Sequence, residues 1–269
     1  MRVRVSHEIK LDFSARVRSL HLNLRLTPRS FESQYVLRWR VAADLDATLK
    51  PREDPYGSIL HSLGWHKPVE GVTITASGEV QTSDAIGVVR GAVDPLPADM
   101  YLRTSQLAQA NAALRELADR VRPGETLERL HELMGLLHGE IAFTPGFGGE
   151  SSASEAFALK KGGAADFAHA FIACARGWGV PARFVTGYLV ADAPEETAEM
   201  FAWAEALSPG LGWVAFDAVH DLCPNDRYVR VAVGLDAKDA APLRSWTNAG
   251  ETAMTASLRV EQAGAQGQN

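Results

Sequence analysis

The chain has two cysteines in 269 residues, Cys174 and Cys223. Two thiols so placed make neither a disulfide framework nor a metal-ligand pattern. No set of His, Cys and carboxylate side chains has the spacing of a metal centre, so neither a metal nor another cofactor is expected. Excess positive charge is also missing: 27 Lys and Arg against 33 Asp and Glu leave a formal charge of −6. That balance gives no electrostatic case for nucleic acid or an anionic membrane as partner. No apolar run approaches the ~18 residues of a membrane span. No basic segment leads into an apolar stretch of the secretory kind, so the expected location is the cytoplasm.

What is present is ordinary globular material, 46% apolar and 22% charged, which excludes a disordered chain. The length admits one or two domains. Up to about residue 95 the pattern has period two. Val3 and Val5 alternate with Arg2 and Arg4, Leu22, Leu24 and Leu26 with His21, Asn23 and Arg25, and Val72 and Ile74 with Thr73 and Thr75. Alternation buries one face of a strand and wets the other. Tyr35 to Val41 reads as a further strand. With turn signals at Pro51, Pro55-Tyr-Gly57 and Ser77-Gly78, short strands at this spacing predict an antiparallel sandwich.

Asp94-Pro-Leu-Pro-Ala-Asp99 breaks that pattern. Beyond it Leu107, Leu114, Leu117 and Val121 fit one helical face, and Leu127, Leu130, Leu133, Met134 and Leu137 a second. Thr144 to Ser154 reads as a loop. A helix from Ala164 to Trp178 is apolar nearly all round, as a buried helix must be, and Pro181 follows its end. Strands are expected at Arg183 to Val190, Phe201 to Leu207, Trp213 to Asp217 and Asn225 to Val233, and a last one at Ala253 to Val260. Ala191 to Met200 reads as a loop or short helix, and the tail from Gln262 as frayed.

The start of a buried helix favours negative charge, through free backbone N–H groups and the helix dipole. A cysteine placed there has a lowered pKa. Here that position holds Ala164, so the frame of a nucleophile site lacks the nucleophile.

Five stretches carry a resemblance. Gly162-Gly-Ala-Ala-Asp-Phe-Ala-His169 resembles the bacterial transglutaminase-like motif Gly-Val-Cys-Gln-Asp-Phe-Ala-His. Gly179-Val-Pro-Ala-Arg-Phe-Val-Thr-Gly-Tyr188 is similar to that family's Gly-Ile-Pro-Ala-Arg-Tyr-Val-Ser-Gly-Tyr. Phe201-Ala-Trp-Ala-Glu205 and Pro209-Gly-Leu-Gly-Trp-Val-Ala-Phe-Asp217 resemble His-Ala-Trp-Val-Glu and Pro-Gly-Leu-Gly-Trp-Val-Gly-Phe-Asp. Asn225 to Asp236 resembles Asp-Arg-His-Ile-(Arg/Lys)-Val-Ala-Val-Gly-Arg-Asp. The resemblance implies a papain-like α+β fold: an N-terminal antiparallel β-sandwich over residues 1–95, then a core over 100–245 with helices packed on an antiparallel sheet. Residues 246–269 would supply the last strand and a flexible tail.

In that family a thiolate, a histidine base and an orienting aspartate act together. Position by position they fall on Ala164, Phe201 and Asp217, so only the aspartate is kept. Tyr228 and Leu235 also stand where the family has histidine and arginine. A methyl group cannot attack a carbonyl, and a phenyl ring cannot accept a proton. A Cys→Ala change alone could be a laboratory trap for substrate, but His→Phe would then be redundant.

The expectation is a natural pseudoenzyme that binds a peptide or protein partner. Its groove would be bordered by Asp166, Trp203, Tyr188, Trp213 and Cys223. The resemblance further implies company with ATP-grasp-type proteins in a bacterial peptide-modification system. The alternative is an active cysteine-type hydrolase or acyltransferase using a relocated nucleophile, Cys223, near His220. Cys174 and His169 read as packing residues. A third reading is a homo-oligomer built through exposed sandwich edges.

Overall fold

A computed structural model describes residues 1–146, 151–190, 200–248 and 251–264. The expected loop or helix at 191–199 and most of the expected frayed tail lie outside the described residues. The first strands are β1 (Arg2–Val17), β2 (Leu20–Thr27), β3 (Gln34–Ala43), β4 (Lys50–Glu53), β5 (Ile59–Trp65), β6 (Val69–Thr82) and the short β7 (Val88–Val89). A 3-10 turn at Ala98–Leu102 leads to α1 (Ala112–Asp119), α2 (Thr126–Glu140), β8 (Ala142–Phe143), α3 (Ala153–Leu159), β9 (Lys161–Gly162) and α4 (Ala164–Gly177). Then follow β10 (Ala182–Leu189), β11 (Phe201–Ser208), β12 (Gly212–Phe216), β13 (Tyr228–Gly234), β14 (Leu243–Thr247) and β15 (Thr252–Gln262).

The amino-terminal strands form two four-stranded sheets, ordered β15-β1-β6-β3 and β14-β2-β5-β4. The alternation read in the sequence sets which side faces in. Ile9 and Leu11 of β1, Leu20 to Leu26 of β2 at every second position, and Val72 and Ile74 of β6 meet in one apolar cluster between the sheets. The last two strands return to this sandwich: β14 pairs with β2, and β15 runs antiparallel along β1 from Phe13↔Thr252 to Val3↔Gln262.

The core sheet has the order β13-β10-β11-β12-β7. Its edge strand β7 comes from the segment that links sandwich to core, through Trp213↔Val89 and Val214↔Val88. The helix α4 packs on one face. There Ala168, Ala170, Ala173 and Ala175 of the helix share a cluster with Ala202, Ala204 and Ala206 of β11. Small residues on both sides let helix and sheet approach closely. The other face of β11 points away from α4, so Trp203 joins Val185, Trp213 and Tyr228 in a separate cluster.

Two helices differ from the periodicity. The first is shorter, with Leu107 and Val121 outside Ala112–Asp119, because Asn111 caps its start by accepting from the Leu114 N–H at 3.0 Å. The other is α3, inside and beyond the Gly/Ser-rich stretch. Ser152 and Glu155 form a capping box there, which local composition hid.

The sandwich and core share buried contacts. Val3, Val5 and Val80 belong to the same apolar cluster as α4. Across the junction, the Gln34 amide donates to Arg230 O at 2.9 Å, and the Arg230 N–H donates to Gln34 Oε1 at 2.7 Å. Among the described residues no helix is long and apolar enough to cross a membrane.

Candidate active site

Both ends of α4 are fixed. At its start Asp166 accepts from the Gly163 N–H at 2.9 Å and from Ser151 Oγ at 2.8 Å. The carboxylate thereby satisfies helix-start groups and meets the dipole favourably. Gly162 is required by this fold-back, since a Cβ there would lie 2.8 Å from the Asp166 Cβ. At the far end the buried Arg176 guanidinium donates to Tyr101 O, Ala182 O and Leu235 O at 2.8 to 3.1 Å. Ala164 is the first helical residue and is partly exposed.

Phe201 is the first residue of β11, also partly exposed, and packs against both apolar clusters. Its ring lies 5.4 Å from the His220 ring and 6.2 Å from that of Tyr228, whose ring is in turn 5.5 Å from Trp203. These rings gather around Asp217, which is 1% exposed.

The Asp217 carboxylate has a full set of donors. Oδ1 accepts from the Val219 N–H at 2.9 Å and the His220 N–H at 3.4 Å. Oδ2 accepts from Tyr228 O–H at 2.6 Å and pairs with His220 Nδ1 at 2.7 Å. A buried carboxylate without partners would be costly. This one is held by a tight turn that its own side chain closes, sealed by the Asp217↔Leu222 bridge. His220, expected beside Cys223, pairs with Asp217, and the Cys223 Sγ meets His131. The pairing with Asp217 could be suspected only from the three-residue spacing.

Comparison with known proteins agrees with this fold. The transglutaminase-like superfamily core model matches residues 115–218, and the bacterial transglutaminase-like N-terminal region matches residues 3–81. Over these two stretches the chain matches a transglutaminase-like core and the N-terminal region that accompanies it in bacterial proteins. It is 26% identical to the uncharacterized protein ML0607 of Mycobacterium leprae, over 90% of this chain and 92% of that one. It is 27% identical to the uncharacterized protein Rv2569c of Mycobacterium tuberculosis, over 96% and 92%. A solved structure described as a "Putative Cysteine Protease" from Cytophaga hutchinsonii aligns with a TM-score of 0.78 at 21% identity, covering 100% of this chain and 92% of that one. That likeness speaks for the fold.

Within this transglutaminase-like core, Tyr188 lies apart from Trp203 and Trp213, which share a cluster of their own. Tyr188 is fully buried where sandwich meets core, 3.4 Å from His7 Nδ1 through its hydroxyl and 5.8 Å from the Trp39 ring. Trp203 and Trp213 belong to the sheet face opposite α4. The Trp213 indole donates to Asp94 Oδ2 at 2.6 Å, and the Arg183 guanidinium stacks 3.8 Å from its centre. Gly187 makes room for Trp203, because a Cβ there would come within 2.4 Å of the indole and 2.1 Å of Val229 O. Glu205, next on that face, accepts from Arg183 Nε and Arg230 Nε, each at 2.7 Å, and these cations hold its carboxyl down to about 2 against the burial that opposes ionisation.

The two thiols are equally constrained. Cys174 is buried against α1, its pKa pushed up to about 12 by burial. Cys223 is partly exposed, and burial pushes its thiol up to about 11. Its Sγ lies 3.5 Å from His131 Nε2, whose Nδ1 is 2.9 Å from Leu127 O. That carbonyl fixes the tautomer, leaving Nε2 to accept from the thiol. His169 is buried with its pKa lowered to about 3, chiefly by desolvation, and its Nε2 accepts from the Ala237 N–H at 3.1 Å. Among the described residues no group of three or more His, Cys, Asp and Glu could hold a metal ion.

Proposed function

We propose that this transglutaminase-like chain is catalytically inactive and acts by binding a peptide or protein partner. The observation that supports this reading is the reassignment of Asp217. In an active member that carboxylate orients the base at the position of Phe201. Here it serves a tyrosine, a histidine from its own turn and two backbone amides. The changes at Phe201 and Tyr228 therefore fit together as one substituted packing arrangement around Asp217. An acyl carbonyl held near Ala164 would meet a helix start suited to its partial charge, with no sulfur to attack it.

A binding subunit of a cytoplasmic peptide-modification system, beside ATP-grasp-type partners, is the setting the family likeness suggests. The test is co-purification from the native host with wild-type chain and with Phe201→Asp. Partners enriched with wild type and lost with the variant support the reading. No specific association with either leaves it without support.

A second reading has one observation in its favour, the Cys223–His131 contact of 3.5 Å. In it Cys223 is a relocated nucleophile that gives its proton to His131. The raised thiol pKa opposes it. Labelling by an acylating probe that disappears in Cys223→Ser would favour it, and no Cys223-dependent labelling would remove it.

A further inference from the structure

The sheet β14-β2-β5-β4 buries one face in the sandwich and turns the other outward. Register places Trp246 beside His21, His21 opposite Gly64, Asn23 opposite Ser62, and Ser62 opposite Lys50. Their neighbours along β2, Leu20, Leu22 and Leu24, point into the core, so this row lies outside. The face is concave, with a groove of about 700 Å³. At one wall stands Trp246, 50% exposed, a large apolar surface that the fold leaves uncovered.

The groove is cationic in a chain whose net charge is −6. Lys50 and Arg52 line the wall opposite Trp246, and Lys67 sits at the rim, its ammonium held 5.3 Å over the Trp65 ring. None of the three has an ion-pair partner among the described residues. On the floor Ser62 Oγ donates to Asn23 Oδ1 at 2.8 Å, which leaves the Asn23 amide nitrogen with no acceptor among the described residues. Asp46 adds one carboxylate to the lining.

We propose that this groove binds an anionic oligosaccharide, a short uronic-acid chain in its simplest form. The apolar face of a sugar ring stacks on Trp246. Its hydroxyls bond Asn23 and Asp46, and its carboxylate meets Lys50 and Arg52. Asp46 disfavours a nucleic-acid strand, whose phosphates would face it without a compensating hydroxyl. An extended peptide gains its main-chain bonds at a sheet edge, whereas the floor here is made by the side chains of the interior strands β2 and β5.

The proposal stands apart from the reading of Ala164 and Phe201. Its test is calorimetric titration with trigalacturonate, alongside a neutral trisaccharide, hexaglutamate and a six-nucleotide single strand. Trigalacturonate is expected to bind and to weaken as salt is raised. It should bind about tenfold more weakly to Trp246→Ala and to the Lys50→Gln/Arg52→Gln double variant, both with unchanged melting temperature. No trigalacturonate binding overturns the proposal. So does equal affinity in Trp246→Ala, or equal or tighter binding of any of the three comparison ligands.

Discussion

His220 Nδ1 lies 2.7 Å from the buried Oδ2 of Asp217, and Tyr228 O–H shares that oxygen at 2.6 Å. The aspartate that orients a base elsewhere in the superfamily is here occupied from within its own turn and from β13. Removing the carboxylate leaves several donors buried without an acceptor. Asp217→Ala should lose about 3 kcal/mol of stability. Tyr228→Phe, which removes one neutral donor, should lose about 1 kcal/mol. Chemical denaturation checks both, and equal losses would contradict a carboxylate held by several partners.

Restoring the missing side chains should not restore the chemistry. In Ala164→Cys/Phe201→His the new imidazole competes for an Asp217 already bonded to His220 and Tyr228. Acyl transfer from a peptidyl thioester should stay at the background rate in this double variant. Turnover well above background would show that the carboxylate is still available to a base at position 201.

Stability should fall on mild acidification. Burial lowers His169 to about 3 and His7 to about 4, from 6.5 in the unfolded chain. Between those values the unfolded chain binds more protons than the folded one, so stability is present above about 6.5 and is lost as pH falls toward 4. The melting temperature should decline over that window. His169→Gln should flatten the decline, and an unchanged profile in that variant would contradict a neutral buried imidazole.

The ion cluster behind the sheet should be intolerant of change. Glu205 is fully buried between Arg183 and Arg230. Glu205→Gln leaves those cations without their counter-charge, at a cost of about 3 to 5 kcal/mol. A melting temperature close to wild type would show that Asp94, 3.1 Å from Arg183, compensates.

Much of this was legible in the sequence for physical reasons. Period-two alternation in β1, β2 and β6 reported a one-sided burial that the sandwich requires. The all-round apolar α4 reported a helix enclosed by its surroundings. The motif departures at Ala164 and Phe201 drew attention to the neighbourhood of Asp217. Other features depend on contacts that no local pattern encodes. The pairing of β14 and β15 with the first strands joins opposite ends of the chain. The placement of Tyr188 against His7 and Trp39 follows from how the sandwich docks on the core. The occupation of Asp217 by His220 and Tyr228 needed the turn after β12 to be seen closed. That Trp203 and Trp213 share the face α4 leaves uncovered came only with the fold.

The most direct measurement is turnover by the purified wild-type chain, with peptidyl thioester and glutamine-peptide substrates, read by mass spectrometry beside Cys223→Ser. The account predicts no covalent adduct and release no faster than buffer for both proteins. Acyl-enzyme formation and turnover that vanish in Cys223→Ser would contradict it.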